Sequence, residues 1–532
     1  MKGDYIVKEI QIQNFRSLKD TGLQELSPIT LLIGENSSGK STFLRSFPLI
    51  KQSISKRTAG PILWAGDVDD YVDFGSFDET VTNDKSNEIM FRFCFALKDM
   101  GFLYRYFSLD DYMGVEESRS RNNQIDYQIF IKSTNGKDYV ARFDVNIDSV
   151  CYKFNLENGN IQVDDFVFEQ RVQPLSEELG YKSPRIRIIT GAEDSQAFGF
   201  RLPNIDDLSG ELFDKLIKEK EQHRSSLISE VIVALGDNLT QNKIIYLSTE
   251  ENMNSRQLTN QFIKLYNKTV KLIKDDIRLR SIVKLCYFYR MFSDIDQYIF
   301  NYFKQVHYIA PLRATAERYY RLRNLAIDEV DYQGKNLAIF INSLNDRQLS
   351  QFHAWTNDHF GFSVSTGKDK GHLSLLIKLK GSDKAINLSD TGFGYSQVLP
   401  IITQLWELST RKKEKMGYLE VDRVIPLVVA IEQPELHLHP AVQAKLGKAF
   451  IASIHLAREN GYQLQLLLET HSQTLVNYLG RAIYRGELDN QDVSVILFEK
   501  DPYNNITTVT NSYYDSEGYL ENWPYGFFDP ED

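Results

Sequence analysis

The chain has 532 residues, 42% of them apolar, which is enough for at least one large core and for two to four domain-sized units. Its 61 Lys and Arg stand against 72 Asp and Glu, a formal charge of −11, which argues against bulk coating of nucleic acid but leaves room for a local basic patch. Cys94, Cys151 and Cys286 lie far apart without a CxxC, so a disulfide framework or zinc ribbon is not expected and a reducing compartment fits.

The opening MKGDYIVKEIQIQNF has no long apolar run after its basic residue, so no signal peptide is expected. No stretch approaches the roughly 18 uncharged apolar residues of a membrane span, and a soluble cytoplasmic protein is expected. Residues 5–34 read as two strands joined by a turn, followed by a Gly-rich turn and a helix from Lys40 to about Ile54. From 88 to 168, short runs such as MFRFCFAL, GFLYRYFSL, DYQIFI, YVARFDVNI and VCYKFNL alternate apolar and polar residues between Asn, Asp and Gly. That pattern predicts an antiparallel β lobe with one wet face.

Residues 205–305 change character. The run from Leu208 to Gly236 has helical spacing, and one or more long helices are predicted from Gln257 to about Phe303. Within them, residues 261–290 carry eight Lys or Arg against two Asp, a local net of +6. A solvated helical face fits this segment, and so does a DNA, RNA or partner contact, since basic residues alternate with aromatics. After 305 the predicted elements are strands at Val306 to Ile309 and 373–380, a helix after Gln397, the charged loop RKKEK (411–415), a strand at 424–431 and a helix at 441–458. A strand at 464–468, a helix and a final strand near 493–498 follow. This alternation is α/β with a largely parallel sheet. Residues 1–204 and 306–532 then form the two halves of one discontinuous core, with 205–305 as a helical insertion.

The strongest local signal is Gly34-Glu35-Asn36-Ser37-Ser38-Gly39-Lys40-Ser41, a complete GxxxxGKS between an apolar strand and a helix. A loop that wraps phosphate oxygens needs small residues and glycine turns, and its backbone N–H groups and helix N-terminus stabilise negative charge. Lys40 is placed for the β and γ phosphates of ATP, and the Ser41 hydroxyl for Mg²⁺. Such a loop needs an acid at the end of a neighbouring strand. VIPLVVAIEQPELHLHP (424–440) offers Glu432, after which Pro434 ends the strand. LQLLLETHSQTLVNYL places Glu469, Thr470, His471 and Ser472 at the end of another apolar strand, where His471 would sense the γ-phosphate. His437 and His439 have the spacing of a metal chelate but no third ligand nearby in sequence. INLSDTGFGYSQVLP (386–400) offers Ser389, Gly392, Gly394 and Ser396 just before a helix predicted to begin near Gln397. It is a second anion-binding loop, without a lysine, suited to another subunit's ATP.

Taken together, these elements resemble the ABC-type ATPase heads of the SMC, RecF and overcoming-lysogenization-defect class. QIQNFRSL (11–18) is similar to the opening strand of that class, in which Arg16 would approach the nucleotide. GENSSGKST (34–42, ending at Thr42) is similar to Walker A, LSDTGFGYSQ (388–397) to the signature loop, IEQPELHLHP (431–440) to Walker B with its downstream loop, and ETHS (469–472) to the switch histidine. Within the class the chain is most similar to prokaryotic ATPases of the DUF3696 type, through YVDFGSF (71–77), YIAPLRATAERYY (308–320), IEQPE and ENWPYGFFDPED (521–532). Some of these are the PtuA component of Septu and retron-linked antiphage systems. The resemblance implies an ATPase head with a mixed or parallel core sheet, and head-to-tail dimerisation with two ATPs between the P-loop of one subunit and residues 388–397 of the other. It also implies partners: a PtuB-like HNH nuclease and, in retron versions, a reverse transcriptase with its RNA–DNA product.

One departure matters for catalysis. The residue after the Walker B acid is normally the glutamate that orients water, and here it is Gln433, a poor proton acceptor. Either Glu435 serves as the base or hydrolysis is slow and ATP clamps the dimer. Only 61 residues follow His471, too few for a Toprim nuclease domain, so no nuclease activity is expected in this chain. The acidic stretch from Asp501 to Asp532 fits a surface tail or a partner-docking segment. The functional expectation is an ATP-binding and hydrolysing scaffold that controls a separate nuclease in antiphage defence. The alternative is a DNA-repair or chromosome-maintenance ATPase of the RecF or SMC kind, or a slowly hydrolysing clamp.

Overall fold

The computed structural model describes residues 7–56, 58, 60–67, 70–82, 87–99, 121–168, 173–174, 200–201, 271, 276–321, 327, 329–411, 426–501, 503 and 506–523. Most of the predicted helical insertion, including Lys264, Lys268 and Lys274 of the basic segment, lies outside the described residues. So do the run GFLYRYFSL at 101–109, residues 412–415 of the charged loop and the last nine residues of the chain. By internal packing the chain divides into two compact units. One comprises Met1–Ile10, Ser53–Leu63 and Asn83–Asn301, the other Gln11–Gln52, Trp64–Thr82 and Tyr302–Asp532.

The first unit contains the predicted β lobe. Strands Glu88–Asp99, Arg121–Thr134, Lys137–Ile147, Val150–Asn155, Asn160–Val163 and Phe166–Phe168 pair antiparallel in chain order. Alternation places Phe143, Val145, Tyr152 and Phe154 on the buried face. The helix Ile277–Lys304 packs on that face through aromatic rings. Phe288 lies 4.8 Å from both Tyr152 and Phe154 and 5.1 Å from Phe292, and Tyr298 stacks on Phe95 at 4.4 Å. The apolar and aromatic content of 277–303 is therefore a packing face for the lobe. Among the described residues, no helix is long and apolar enough to cross a membrane.

The second unit is built on a seven-stranded sheet in the order Val306–Ile309, Pro426–Glu432, Gln463–Glu469, Ile29–Gly34, Val493–Lys500, Thr507–Tyr514, Leu520–Glu521. The first five strands run parallel, Thr507–Tyr514 pairs antiparallel with the fifth, and Leu520–Glu521 pairs antiparallel with Thr507–Tyr514 in turn, so the α/β core sheet is mixed. Strands 29–34 and 426–432 are buried at every position, as a sheet covered on both faces requires. Helices Phe393–Thr410, Pro440–Glu459 and Gln473–Tyr484 contribute Leu405, Phe450 and Leu479 to one large apolar core with the sheet. A four-stranded antiparallel sheet, with His372–Leu379 at its centre and Phe362–Asp369 along one side, leads into the turn at 388–390.

The described elements differ from the sequence expectation in several places, the unpredicted helix Leu337–Ser343 and strand Phe362–Asp369 among them. The helix Asp346–Phe360 is an addition, although its signals are present: Asn345 and Gln348 form a capping box, and Gly361 closes the helix at φ 81°. The helix expected from Gln397 begins at Phe393, because Gly392 occupies the cap without a side-chain signature. Part of the acidic C-terminal stretch is sheet edge: Thr507–Tyr514 pairs with Val493–Lys500, and Tyr514 Oη donates to the Val476 carbonyl at 2.9 Å. Phe288→Ala removes a fully buried ring from the lobe. It is expected to destabilise that unit by about 3–5 kcal/mol, read as a lowered unfolding midpoint in urea.

Candidate nucleotide-binding site

The sheet order brings three strand ends together. Glu432 is the register partner of Glu469, and Glu469 that of Leu32, so Glu469 ends the strand beside the one that opens into the glycine-rich loop and Glu432 ends the next strand out. This is the carboxyl edge of the parallel strands, where α/β sheets place ligands. The loop is tightly built. A Cβ on Gly34 would lie 2.3 Å from the Phe498 carbonyl oxygen, and Gly39 adopts φ 97°, a conformation that favours glycine. Asn36 and Ser37 are exposed on the loop, while the Ser38 hydroxyl is buried without a hydrogen-bond partner among the described residues.

Lys40 is almost fully buried, and its Nζ donates to the carbonyls of Gly34 at 2.9 Å and Glu35 at 2.6 Å. Burial lowers its pKa, against the raising pull of Glu469, Glu35 and Glu435. The ammonium is thus held by the loop's own carbonyls, with the charges of Glu469, Glu35 and Glu435 acting on it. Ser41 and the half-buried Thr42 open the helix Lys40–Ser55. Ser41 Oγ donates to Glu469 Oε1 at 2.7 Å. Burial and the neighbouring Glu432 push the Glu469 carboxyl up to about 7, while Ser41, Lys40 and Arg45 oppose the shift.

Glu432 has a different neighbourhood. Arg45 grips it with Nε to Oε1 at 2.6 Å and Nη2 to Oε2 at 2.7 Å, and Tyr308 Oη donates to Oε1 at 2.6 Å. The hydrogen bonds from Arg45 to Glu432 raise the guanidinium pKa and keep it charged. Arg313 approaches from behind, donating Nη2 to the Glu432 carbonyl at 2.8 Å and the Gln433 carbonyl at 3.3 Å. Its burial lowers its pKa to about 10. Sequence reading assigned no role to Arg45, Tyr308 or Arg313. The one local signal was that Arg45 stands four residues after Ser41, on the same helix face.

Past the strand, Gln433 has φ 43° and donates its backbone N–H to the Glu469 carbonyl at 2.8 Å. Glu435 Oε1 accepts from the His471 backbone N–H at 2.7 Å, and Glu435 Oε2 and His471 Nε2 are buried without partners among the described residues. Burial raises the Glu435 pKa, while burial and Lys40 lower that of His471. The structure therefore gathers Lys40, Ser41, Glu432, Gln433, Glu435, Glu469 and His471 at one edge. Arg16, the residue after the opening strand Val7–Phe15, donates Nη2 to the Phe74 carbonyl at 3.3 Å. Its guanidinium lies 4.7 Å from the Phe74 ring centre, and the charge of Arg45 acts on it.

The second loop has a separate setting. Ser389 donates to Asn387 Oδ1 at 2.9 Å, Gly392 and Phe393 are exposed, and Ser396 and Gln397 are buried in the first turns of the helix. Gln397 Nε2 donates to the Arg313 carbonyl at 3.5 Å, and the Phe393 ring meets His437 edge-on at 5.1 Å. His439 caps the helix Pro440–Glu459 through Nδ1, which accepts from Ala441 N–H.

A glycine-rich phosphate loop at the carboxyl edge of a parallel sheet, with acids facing the first turn of its helix, defines a P-loop ATPase head. Residues 6–476 match the AAA ATPase domain, and the chain belongs to that family. Membership carries ATP binding and hydrolysis in general, with Mg²⁺ as the usual companion. Among solved structures, the SMC head domain from Thermotoga maritima aligns over 95% of this chain and 98% of its own, at 10% identity and a TM-score of 0.31. A search of curated proteins finds no match. The residues fit a magnesium nucleotide: a buried ammonium, a serine hydroxyl beside a carboxylate, and buried polar atoms at Ser38, Glu435, Glu469 and His471 still able to bond.

Arg45→Met is expected to leave Glu432 buried without its cation and to lower stability by about 2–4 kcal/mol. That is below the fully buried figure, because Arg45 keeps part of its side chain in solvent. Thermal unfolding of Arg45→Met, Glu432→Gln and the double variant checks it, the double variant recovering part of the loss.

Proposed function

We propose that this chain is an ATP-dependent clamp: one subunit of a head-to-tail dimer that closes on Mg-ATP, hydrolyses it slowly and holds the closed state for a partner to read. The observation that carries this reading is the end of strand Pro426–Glu432. The residue after Glu432 is the neutral Gln433, and the next acid, Glu435, is fastened by one oxygen to the His471 N–H at 2.7 Å. Bound Mg-ATP supplies the scissile phosphoanhydride and a divalent charge. Lys40 and the amides of residues 34–41 bind negative charge, and Gln433 can orient a water without accepting its proton at neutral pH. The tie between Glu435 and His471 supports a switch in which the Walker B loop and the sensing loop move as one. The exposed Gly392 and Phe393 at the start of an 18-residue helix support residues 388–397 as the surface that meets the other subunit's nucleotide.

The clamp's output is a finer proposal, supported by the resemblance of residues 71–77, 308–320 and 521–532. It is control of a separate PtuB-like HNH nuclease in antiphage defence, with a retron reverse transcriptase and its RNA–DNA product as further partners and residues 261–290 as a DNA or RNA contact. The other output is a RecF-like or SMC-like role in DNA repair or chromosome maintenance. Co-purification of an HNH protein with the chain favours the first, and its absence with retained DNA binding favours the second.

ATP turnover by the full chain, with Lys40→Ala as the control and mass recorded with and without Mg-ATP, tests the clamp. Slow, Lys40-dependent turnover below about 1 s⁻¹ with a nucleotide-strengthened dimer is expected. Gln433→Glu is expected to raise turnover by about 10²-fold, the contribution of a positioned general base. Glu435→Gln is expected to leave it nearly unchanged. Loss of turnover in Glu435→Gln would make Glu435 the base and overturn the slow-clamp reading.

A further inference from the structure

Glu432 and Glu469 end adjacent parallel strands at the same register position, so their backbones stand about 4.8 Å apart, one strand spacing. The helix Lys40–Ser55 runs over them, and its residues 41 and 45, one turn apart at about 6 Å, present two different groups to the two acids. Ser41 meets Glu469, and Arg45 meets Glu432. Each carboxylate thus receives its own partner from one face of the helix.

The two acids differ in what they can still bind. An ionised carboxylate offers about four lone-pair positions. Glu432 uses three, for the two arms of Arg45 and the Tyr308 hydroxyl, and its charge is neutralised by a guanidinium. Glu469 uses one, for Ser41, and its Oε2 is buried without a hydrogen-bond partner among the described residues. Magnesium takes hard oxygen ligands, commonly one or two carboxylates together with substrate phosphates. Drawing Glu432 onto a cation would strip Arg45 of its buried partner, whereas Glu469 already faces the serine of the phosphate loop.

We infer that Glu469, in place of Glu432, is the carboxylate that sets a divalent cation at Ser41, and that Glu432 is a positioning residue which fixes the helix Lys40–Ser55 through Arg45. This rests on the nucleotide-site reading above and names the metal-positioning acid within it. The strand ending in Glu469 would then carry both the metal acid and, two residues on, the sensing His471.

The test is cation affinity, measured independently of turnover. Mn²⁺ is titrated into the full chain with ATP, and free Mn²⁺ is followed by electron paramagnetic resonance, with ATP affinity in EDTA measured alongside. Glu469→Gln is expected to weaken Mn²⁺ binding about 10-fold or more, with ATP affinity in EDTA essentially unchanged. Ser41→Ala is expected to do the same, and the double variant to lose little beyond either single one, as for groups acting on one ligand. Glu432→Gln is expected to lower the unfolding midpoint while leaving Mn²⁺ affinity within about twofold. Unchanged Mn²⁺ affinity in both Glu469→Gln and Glu469→Asp, with a loss in Glu432→Gln, would overturn the inference. Absence of ATP binding by the unaltered chain would instead remove the nucleotide-site reading on which it rests.

Discussion

Two buried carboxylates one strand spacing apart cannot both carry charge unless each is compensated separately. In this protein the helix that follows the phosphate loop supplies the compensation. Arg45 neutralises Glu432 with a two-pronged contact, while Glu469 has the Ser41 hydroxyl and the more distant charges of Lys40 and Arg45, a partial compensation that leaves its carboxyl pushed up to about 7. The arrangement fixes the helix along and about its axis over the sheet. It therefore also fixes where Lys40 emerges and how the glycine-rich loop is held against the Phe498 backbone.

From this pair of contacts a continuous set of interactions runs outward through the same unit. The Gln433 amide bonds to the Glu469 carbonyl, and the Glu435 carboxylate accepts from the His471 amide. Arg313 holds the carbonyls at the Walker B turn, and its own carbonyl accepts from Gln397 in the helix that follows the second loop. The His437 ring meets Phe393 at the exposed start of that helix. The glycine-rich loop, the strand end at Glu432, the loop at His471 and the helix after the second loop are thus joined by successive contacts within one unit.

The phosphate loop was legible because it is contiguous: a glycine-rich turn, a lysine and a serine between a strand and a helix carry their own geometry. The β lobe was legible for a similar reason, since a period of two along 88–168 forces alternate faces. The helix Asp346–Phe360 carried its capping box and terminal glycine openly, yet its neighbouring β signals masked it. The start of the helix at Phe393 was hidden because a glycine cap leaves no side-chain mark. The strand Thr507–Tyr514 was hidden by its polar composition, which suits the antiparallel edge of a sheet.

By itself, then, the sequence determined the class of chemistry: a P-loop on an α/β core, an acid at a neighbouring strand end, and a neutral amide where a base is usual. Those properties follow from residues adjacent in the chain. Which acid faces the serine was decided by tertiary structure alone. Ser41 and Glu469 are 428 residues apart and Arg45 and Glu432 are 387 apart, and both pairings exist only once strands 426–432 and 463–469 lie side by side under one helix. Residues four apart share one face of a helix, and adjacent parallel strands put their ends one strand spacing apart, so one helix face reaches both acids.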